Sequence, residues 1–487
     1  GMDTLEGGAD YDYLYGDEGD DSIDSGDGGS FINGGDGSDI IVGGAGRDRI
    51  KTGLGDDTVY GGDGNDSIYG NIGDQLIYGG AGKRDAINGR GGNDTIYGEG
   101  GSDVIWGGTG EDSLFGDSGD NYLYGEDGND TLTGGENFDR LSGGDGDDYL
   151  SGGFGGDWLY SGAGVDTVFG GNANDHIYPV DSASTVTSPE TLDGGSGRDS
   201  VHFNQSSQAV NIDLANQANS TGEAAFLTLI SIENIVGSNF ADIIHGDSHA
   251  NVLEGGAGND YLHGHSGDDT LEGGTGSDTL DGGVGDDMLI GGPGAGNDVL
   301  IGGLGNDTIT NDNFGDNLAY GGEGDDSIYG ARGDDTLTGS DGSDTLDGGR
   351  ENDSLLGGAG ADSLIGGQDQ DFLMGGGEND TLDGETGNDT LQGHTGSDAV
   401  TGGGGDDLFL YVMGDGDDTI TDFSAGAASE DVIEVSGFGT AFDSFAEVLA
   451  AAADDGTHTT IDFGGGNTVL LQNVVVADLH EDDFIFS

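Results

Sequence analysis

The fold this sequence predicts is all-β, a parallel β-solenoid, and three observations predict it. An apolar residue recurs every nine positions, glycine pairs punctuate the repeats, and an aspartate holds the sixth position of most of them. The 487 residues include 109 Gly, 3 Pro and no Cys, with 10 Lys+Arg against 96 Asp+Glu and a formal net charge of -86. With only 32% hydrophobic residues, such a chain cannot wrap one large conventional core. Self-repulsion and the ordering entropy of glycine leave the bare chain expanded, so bound cations must supply what apolar burial does not.

The same charge excludes phosphate-bearing partners: nucleic acid and anionic membrane surfaces would repel this polyanion. No run of about 18 apolar residues is present to span a bilayer. Absence of Cys rules out a disulfide scaffold and suits a chain exported unfolded. Residues 1–16 contain no basic segment followed by an apolar run, so an export address is expected elsewhere. Gly1-Met2 reads as an expression scar, or a scar plus native Met, and the immediate start of the repeats is what a fragment would show.

The first roll is expected over residues 1–178. Its register is GGxGxDxUx, with U apolar, and Gly61-Gly62-Asp63-Gly64-Asn65-Asp66-Ser67-Ile68-Tyr69 is a complete copy. The eighth position reads Leu5, Leu14, Ile23, Ile32, Ile41, Ile50, Val59, Ile68 and Ile77, then, after a one-residue insertion, Ile87, Ile96, Ile105 and onward to Ile177. The Gly half of each unit can turn tightly through positive φ, and the x-U-x half is a very short strand. One unit buries almost nothing alone, so units must coil and stack, two per coil, with residues 18 apart directly above one another at about 4.8 Å.

At the sixth position stand Asp12, Asp21, Asp39, Asp48, Asp57, Asp66, Asp85, Asp94, Asp103, Asp112, Asp130, Asp139, Asp148, Asp157, Asp166 and Asp175. Carboxylates stacked about 4.8 Å apart repel unless a cation lies between them. A hard site of carboxylates and turn carbonyls prefers Ca2+. Ser30, Gln75, Asn121 and Asn251 occupy the aspartate position and should weaken their neighbouring sites. Position nine carries Tyr60, Tyr78, Tyr97 and Phe115 on one face, and Tyr69, Trp106 and Tyr124 on the other. These should form outward aromatic ladders, which either stabilise the sheet or offer a platform for sugar rings or a protein partner.

Residues 179–241 break the period. Alternating apolar residues at 210–214 and 231–238 predict a few strands, a β-rich insert joining two rolls, preceded by the isolated unit Gly194-Gly195-Ser196-Gly197-Arg198-Asp199. The second roll is expected over 242–421, its apolar positions running Ile244, Leu253, Leu262, Leu271, Leu280, Leu289, Leu300, Ile309, Leu318, Ile328 and on to Phe409 and Ile420. Its aspartates are Asp260, Asp269, Asp278, Asp287, Asp298, Asp307, Asp326, Asp335, Asp344, Asp353, Asp362, Asp371, Asp380, Asp389, Asp398 and Asp407. Across both rolls, one ion per same-side pair gives roughly 25 to 35 Ca2+. His245 and His263, 18 apart at position nine, should be neighbours, with His249 and His265 nearby. An outward solvated face is the plainer reading of them and a transition-metal site the sharper one.

These repeats resemble the RTX family of hemolysin-type calcium-binding nonapeptides, found in bacterial proteins exported by type I secretion. The resemblance covers nearly the whole chain and implies a right-handed parallel β-roll with calcium held in the turns by each sixth-position Asp and by backbone carbonyls. The tail, 422–487, resembles the family's C-terminal cap and secretion signal: Asp418-Thr419-Ile420-Thr421-Asp422-Phe423 leads to an expected amphipathic helix at 442–453, a hairpin at 459–473 and Asp482-Asp483-Phe484-Ile485-Phe486. Such a cap would cover an open strand edge and places the natural C-terminus here.

No enzyme site is legible. Gly116-Asp117-Ser118-Gly119 resembles a serine-protease nucleophile segment but falls on positions one to four of a repeat, and neither HExxH nor GxSxG occurs. The expectation is a secreted, non-enzymatic structural or binding module that Ca2+ folds outside the cell. The alternatives are the C-terminal region of a larger exported enzyme, such as a protease, lipase or alginate epimerase, or an adhesin or surface-layer component that binds glycans through Tyr60, Tyr78, Tyr97, Trp106, Phe115 and Tyr124.

Overall fold

Short strands form at the x-U-x segments because each holds one large aliphatic residue between a turn on either side, with no run long enough for a helix. The computed structural model describes residues 1–179, 189–311, 314–426, 431–439 and 442–487. Parts of the expected insert (180–188) and cap (427–430 and 440–441) therefore lie outside the described residues. The chain is an all-β parallel solenoid divided into two compact units, Gly1–Asn239 and Phe240–Ser487.

In the first unit alternate strands pair in parallel, so that successive repeats fall in two different sheets. One sheet stacks Ile41, Val59, Ile77, Ile96 and Leu114 in register; the other stacks Ile50, Ile68, Ile87, Ile105 and Leu123. All of these are fully buried and form one thin core between the sheets. The single inserted residue ahead of Ile87 is absorbed in a turn without disturbing either row. The turns need glycine: Gly62 sits at φ +96, and a Cβ there would strike the carbonyl of Gly44 one coil below. Beyond the repeats, Glu190–Ser196 and Ser200–His202 continue the two sheets and are themselves paired by Leu227–Ile230 and Asn234–Val236.

The second unit repeats the plan, with one correction to the expected core. Ala319, not Leu318, pairs with Leu300 and Leu337 and is fully buried, while Leu318 lies one place earlier. Asn317 decides this. Its Oδ1 accepts from the Asp298 N–H at 2.9 Å and its own N–H donates to Asp335 Oδ1 at 2.7 Å, which fixes it at position six and puts alanine at position eight.

At the end of this unit Val432–Ser436 and Phe484–Phe486 extend one sheet. Thr468–Leu471 extends the other and turns back through the antiparallel strands Thr459–Asp462 and Ala452–Asp454. The helix is shorter than expected, Phe445–Ala451, because residues from Ala452 onward are drawn into that antiparallel edge. Rings of Tyr411, Phe438, Phe442 and Phe463 pack together.

Candidate metal centre

Every repeat turns its sixth residue inward, and each such aspartate has two oxygens in different surroundings. Oδ1 accepts a hydrogen bond from the backbone N–H of the corresponding residue on the coil before it. Asp48 N–H donates to Asp66 at 2.8 Å, Asp66 to Asp85 at 2.6 Å, Asp85 to Asp103 at 2.7 Å, Asp103 to Asn121 at 2.9 Å and Asn121 to Asp139 at 2.7 Å. The same ladder runs from Asp326 to Asp344, Asp362, Asp380 and Asp398 in the second unit. Oδ2 has no such role. In every sixth-position aspartate predicted from the sequence except Asp298 and Asp407, it is buried without a hydrogen-bond partner.

What faces that oxygen is a cradle of further oxygens. A Cβ added to Gly98, the first residue of its repeat, would lie 2.8 Å from Asp103 Oδ2 and 2.9 Å from the carbonyl oxygen of Gly116 on the next coil. At Gly330 the corresponding distances are 2.7 Å to Asp335 Oδ2 and 2.7 Å to Gly348 O. Where the first residue is not glycine, Ser25, Thr52, Ser161 and Asn311 each bring a small oxygen-bearing side chain. Orphaned carboxylate oxygens, turn carbonyls and a seat too tight for a methyl group are the donor set that a hard cation takes and that neutral packing does not.

Electrostatics point the same way. Burial, reinforced by the neighbouring carboxylates, raises Asp66 and Asp371 to about 7, and Asp148, Asp175 and Asp353 to about 8; the backbone N–H each accepts pulls only partly in the other direction. Without cations, the members raised to about 7 or 8 would be partly protonated at neutral pH, while those raised to about 6, such as Asp48 and Asp85, would be mostly charged.

Several further residues belong to these ladders beyond the aspartates predicted from the sequence. Asp175 N–H donates to Asp199 Oδ1 at 2.8 Å, and Asp199 N–H to Glu233 Oε2 at 2.9 Å. In the second unit Asp242, Asp418 and Asp431 extend the columns at either end. Asp199 has its glycines, Gly194, Gly195 and Gly197, and Asp418 has Gly414 and Gly416, whereas Asp242 and Asp431 keep the Asp and the apolar residue two places on without the glycine pair. Asn317 is a further interruption of a column, also missed. A second ladder at position five runs the opposite way: the N–H of Ser38 donates to Asp20 Oδ1 at 2.9 Å, and that of Asp147 to Asn129 Oδ1 at 2.7 Å.

Aromatic residues at position nine stack outside the sheet. Tyr60, Tyr78, Tyr97 and Phe115 form one column with ring centroids 5.1, 5.0 and 4.8 Å apart and planes within 9°. Trp106 and Tyr124 stack at 5.9 Å, whereas Tyr69 lies under the guanidinium groups of Arg49 and Arg90. Gly116-Asp117-Ser118 closes the strand Ser113–Ser118 with Gly119 just after it, and the Ser118 hydroxyl donates to the Glu99 carbonyl at 3.1 Å.

A solenoid with cation-binding turns is thus defined by fold and site together. The RTX calcium-binding nonapeptide repeat model matches residues 1–177 and 231–409 in overlapping stretches, and the chain belongs to that family. Its repeats make a Ca2+-binding β-roll. No curated protein sequence matches the chain. Among solved structures it is similar to the extracellular lipase LipA from Serratia marcescens, at 14% identity and a TM-score of 0.17, covering 80% of this chain and 45% of that one. The chain thus spans less than half the length of the lipase. No helix among the described residues is long and apolar enough to cross a membrane.

Proposed function

We propose that this chain is an extracellular, non-enzymatic module whose folding is Ca2+ binding, kept unfolded in low-calcium cytosol during type I export and folded on meeting millimolar Ca2+ outside. The single observation that carries this reading is the pair of carboxylate columns in each unit, buried with Oδ2 orphaned in every predicted sixth-position aspartate but Asp298 and Asp407. Each ion would be held by Oδ2 of the sixth-position aspartates named above and by first-position carbonyls of the next coil, roughly 25 to 35 ions in all. Calcium supplies positive charge between carboxylates that otherwise repel, and the chain's part is to place their oxygens at a fixed interval.

The reading holds equally for a module acting alone and for one within a longer exported chain. A sugar-stacking role for the aromatic column is not favoured, because neighbouring rings cover one another's faces. The test is a far-UV circular dichroism titration from a chelated start, with Mg2+ as control and sedimentation to follow compaction. A disordered spectrum that becomes compact β-structure near millimolar Ca2+ is the expected result. Full β-structure in chelator at neutral pH would overturn it.

A further inference from the structure

Three imidazoles meet on the outer face of the second unit. His245 ends the strand Ile243–His245, and His263 and His265 lie on Tyr261–Ser266, where His263 pairs directly with His245. Ring centroids are 5.7 Å apart for His245 and His263, 5.8 Å for His245 and His265, and 4.0 Å for His263 and His265. The close third pair has a backbone cause. His265 stands where most repeats have glycine, at φ +77, and the left-handed turn brings its ring back over His263. All three side chains are half-buried, and one ligating nitrogen from each lies within 4.8 Å of the others.

We propose that His245, His263 and His265 bind one divalent transition-metal ion of the Zn2+ class, at a site separate from the calcium turns. Small ring rotations would bring the nitrogens to the edge of about 3.3 Å required by tetrahedral Zn–N bonds of about 2.0–2.1 Å. Imidazole nitrogen selects such ions over Ca2+, which takes oxygen. A fourth ligand is at hand: Asp281, next in register after His263, has Oδ2 3.9 Å from His263 Nε2. His249 is not part of the group; it is exposed, and its Nδ1 is 3.0 Å from Asp247. Bound there, the ion would clamp two adjacent coils through the paired strands Ile243–His245 and Tyr261–Ser266.

The experiment titrates ZnCl2 into the full chain saturated with Ca2+, by calorimetry, and repeats it with Co2+ read by visible absorption. One tight ion per chain is expected, with the intense bands of tetrahedral nitrogen ligation for Co2+. That ion should be lost in His263→Ala and in His265→Ala, retained in His249→Ala, and weakened about 10-fold in Asp281→Asn. Circular dichroism in Ca2+ checks that each variant keeps the fold. Unchanged Zn2+ uptake in the His263→Ala/His265→Ala double variant would place the ion on carboxylates and overturn the assignment, as would no uptake by the calcium-saturated wild type.

Discussion

Position six asks two things of one side chain. Oδ1 closes a backbone hydrogen bond across coils, and Oδ2 is offered to the ion. Asn121 separates the two, since its amide oxygen keeps the ladder bond at 2.9 Å while bringing no charge. Asp139→Asn is therefore expected to lower the bound calcium by about one ion while leaving the calcium-saturated fold intact, whereas Asp139→Ala also orphans the Asn121 N–H and costs about 1–3 kcal/mol. Equilibrium dialysis with thermal melts of both variants would show it; equal melting losses in the two would refute the division of labour. The aspartate row was legible from spacing alone. The ladder was not, because it depends on a rotamer that links residues 18 apart. Nor was Ala319, since hydrophobicity favours Leu318 and only the hydrogen bonds of Asn317 settle the register.

A repeat is built around the place where its first glycine faces the carboxylate. Gly98→Ala puts a methyl group against Asp103 Oδ2 and the Gly116 carbonyl, so it should weaken calcium binding locally and cost about 1–3 kcal/mol. Gly98→Ser, which copies Ser25 and Ser161, should cost less because its hydroxyl can join the oxygen set. Melting both at fixed Ca2+ tests this, and an alanine variant as stable as wild type would remove the cradle from the account. Nine-residue periodicity made the strands and turns readable. It fades where the glycines do, at Asp242 and Asp431, while Asp199 keeps its glycines but stands isolated from the other repeats; and the helix is shorter than the sequence predicts because an alanine-rich segment gives no hint that Ala452–Asp454 pairs as a strand.

Across the whole molecule, protons and calcium compete for one set of oxygens. An aspartate whose folded value is raised to about 6–8 binds its proton more tightly folded than unfolded. Its contribution to the ion-free fold is fully present below the unfolded value near 4 and is lost as pH rises through the folded values. Metal-free protein should thus gain β-structure between about pH 8 and about pH 4, while its affinity for Ca2+ falls over the same range. Circular dichroism of dialysed protein, with sedimentation to exclude aggregates, checks this. A chain as disordered at the acidic end as at the alkaline one would sink it. The position-six ladder also gives each roll a grammar. Every coil presents the same acceptor to the coil before it and the same donor to the coil after it, and single or double insertions, as between Asp66 and Asp85 or Asp278 and Asp298, leave the bond at 2.6–2.9 Å. A whole coil can be struck out or copied in with matching ends, whereas a lone nonapeptide would send everything after it to the opposite sheet. Length is then a quantity that gene duplication can adjust in steps of two repeats, with no new interface to invent.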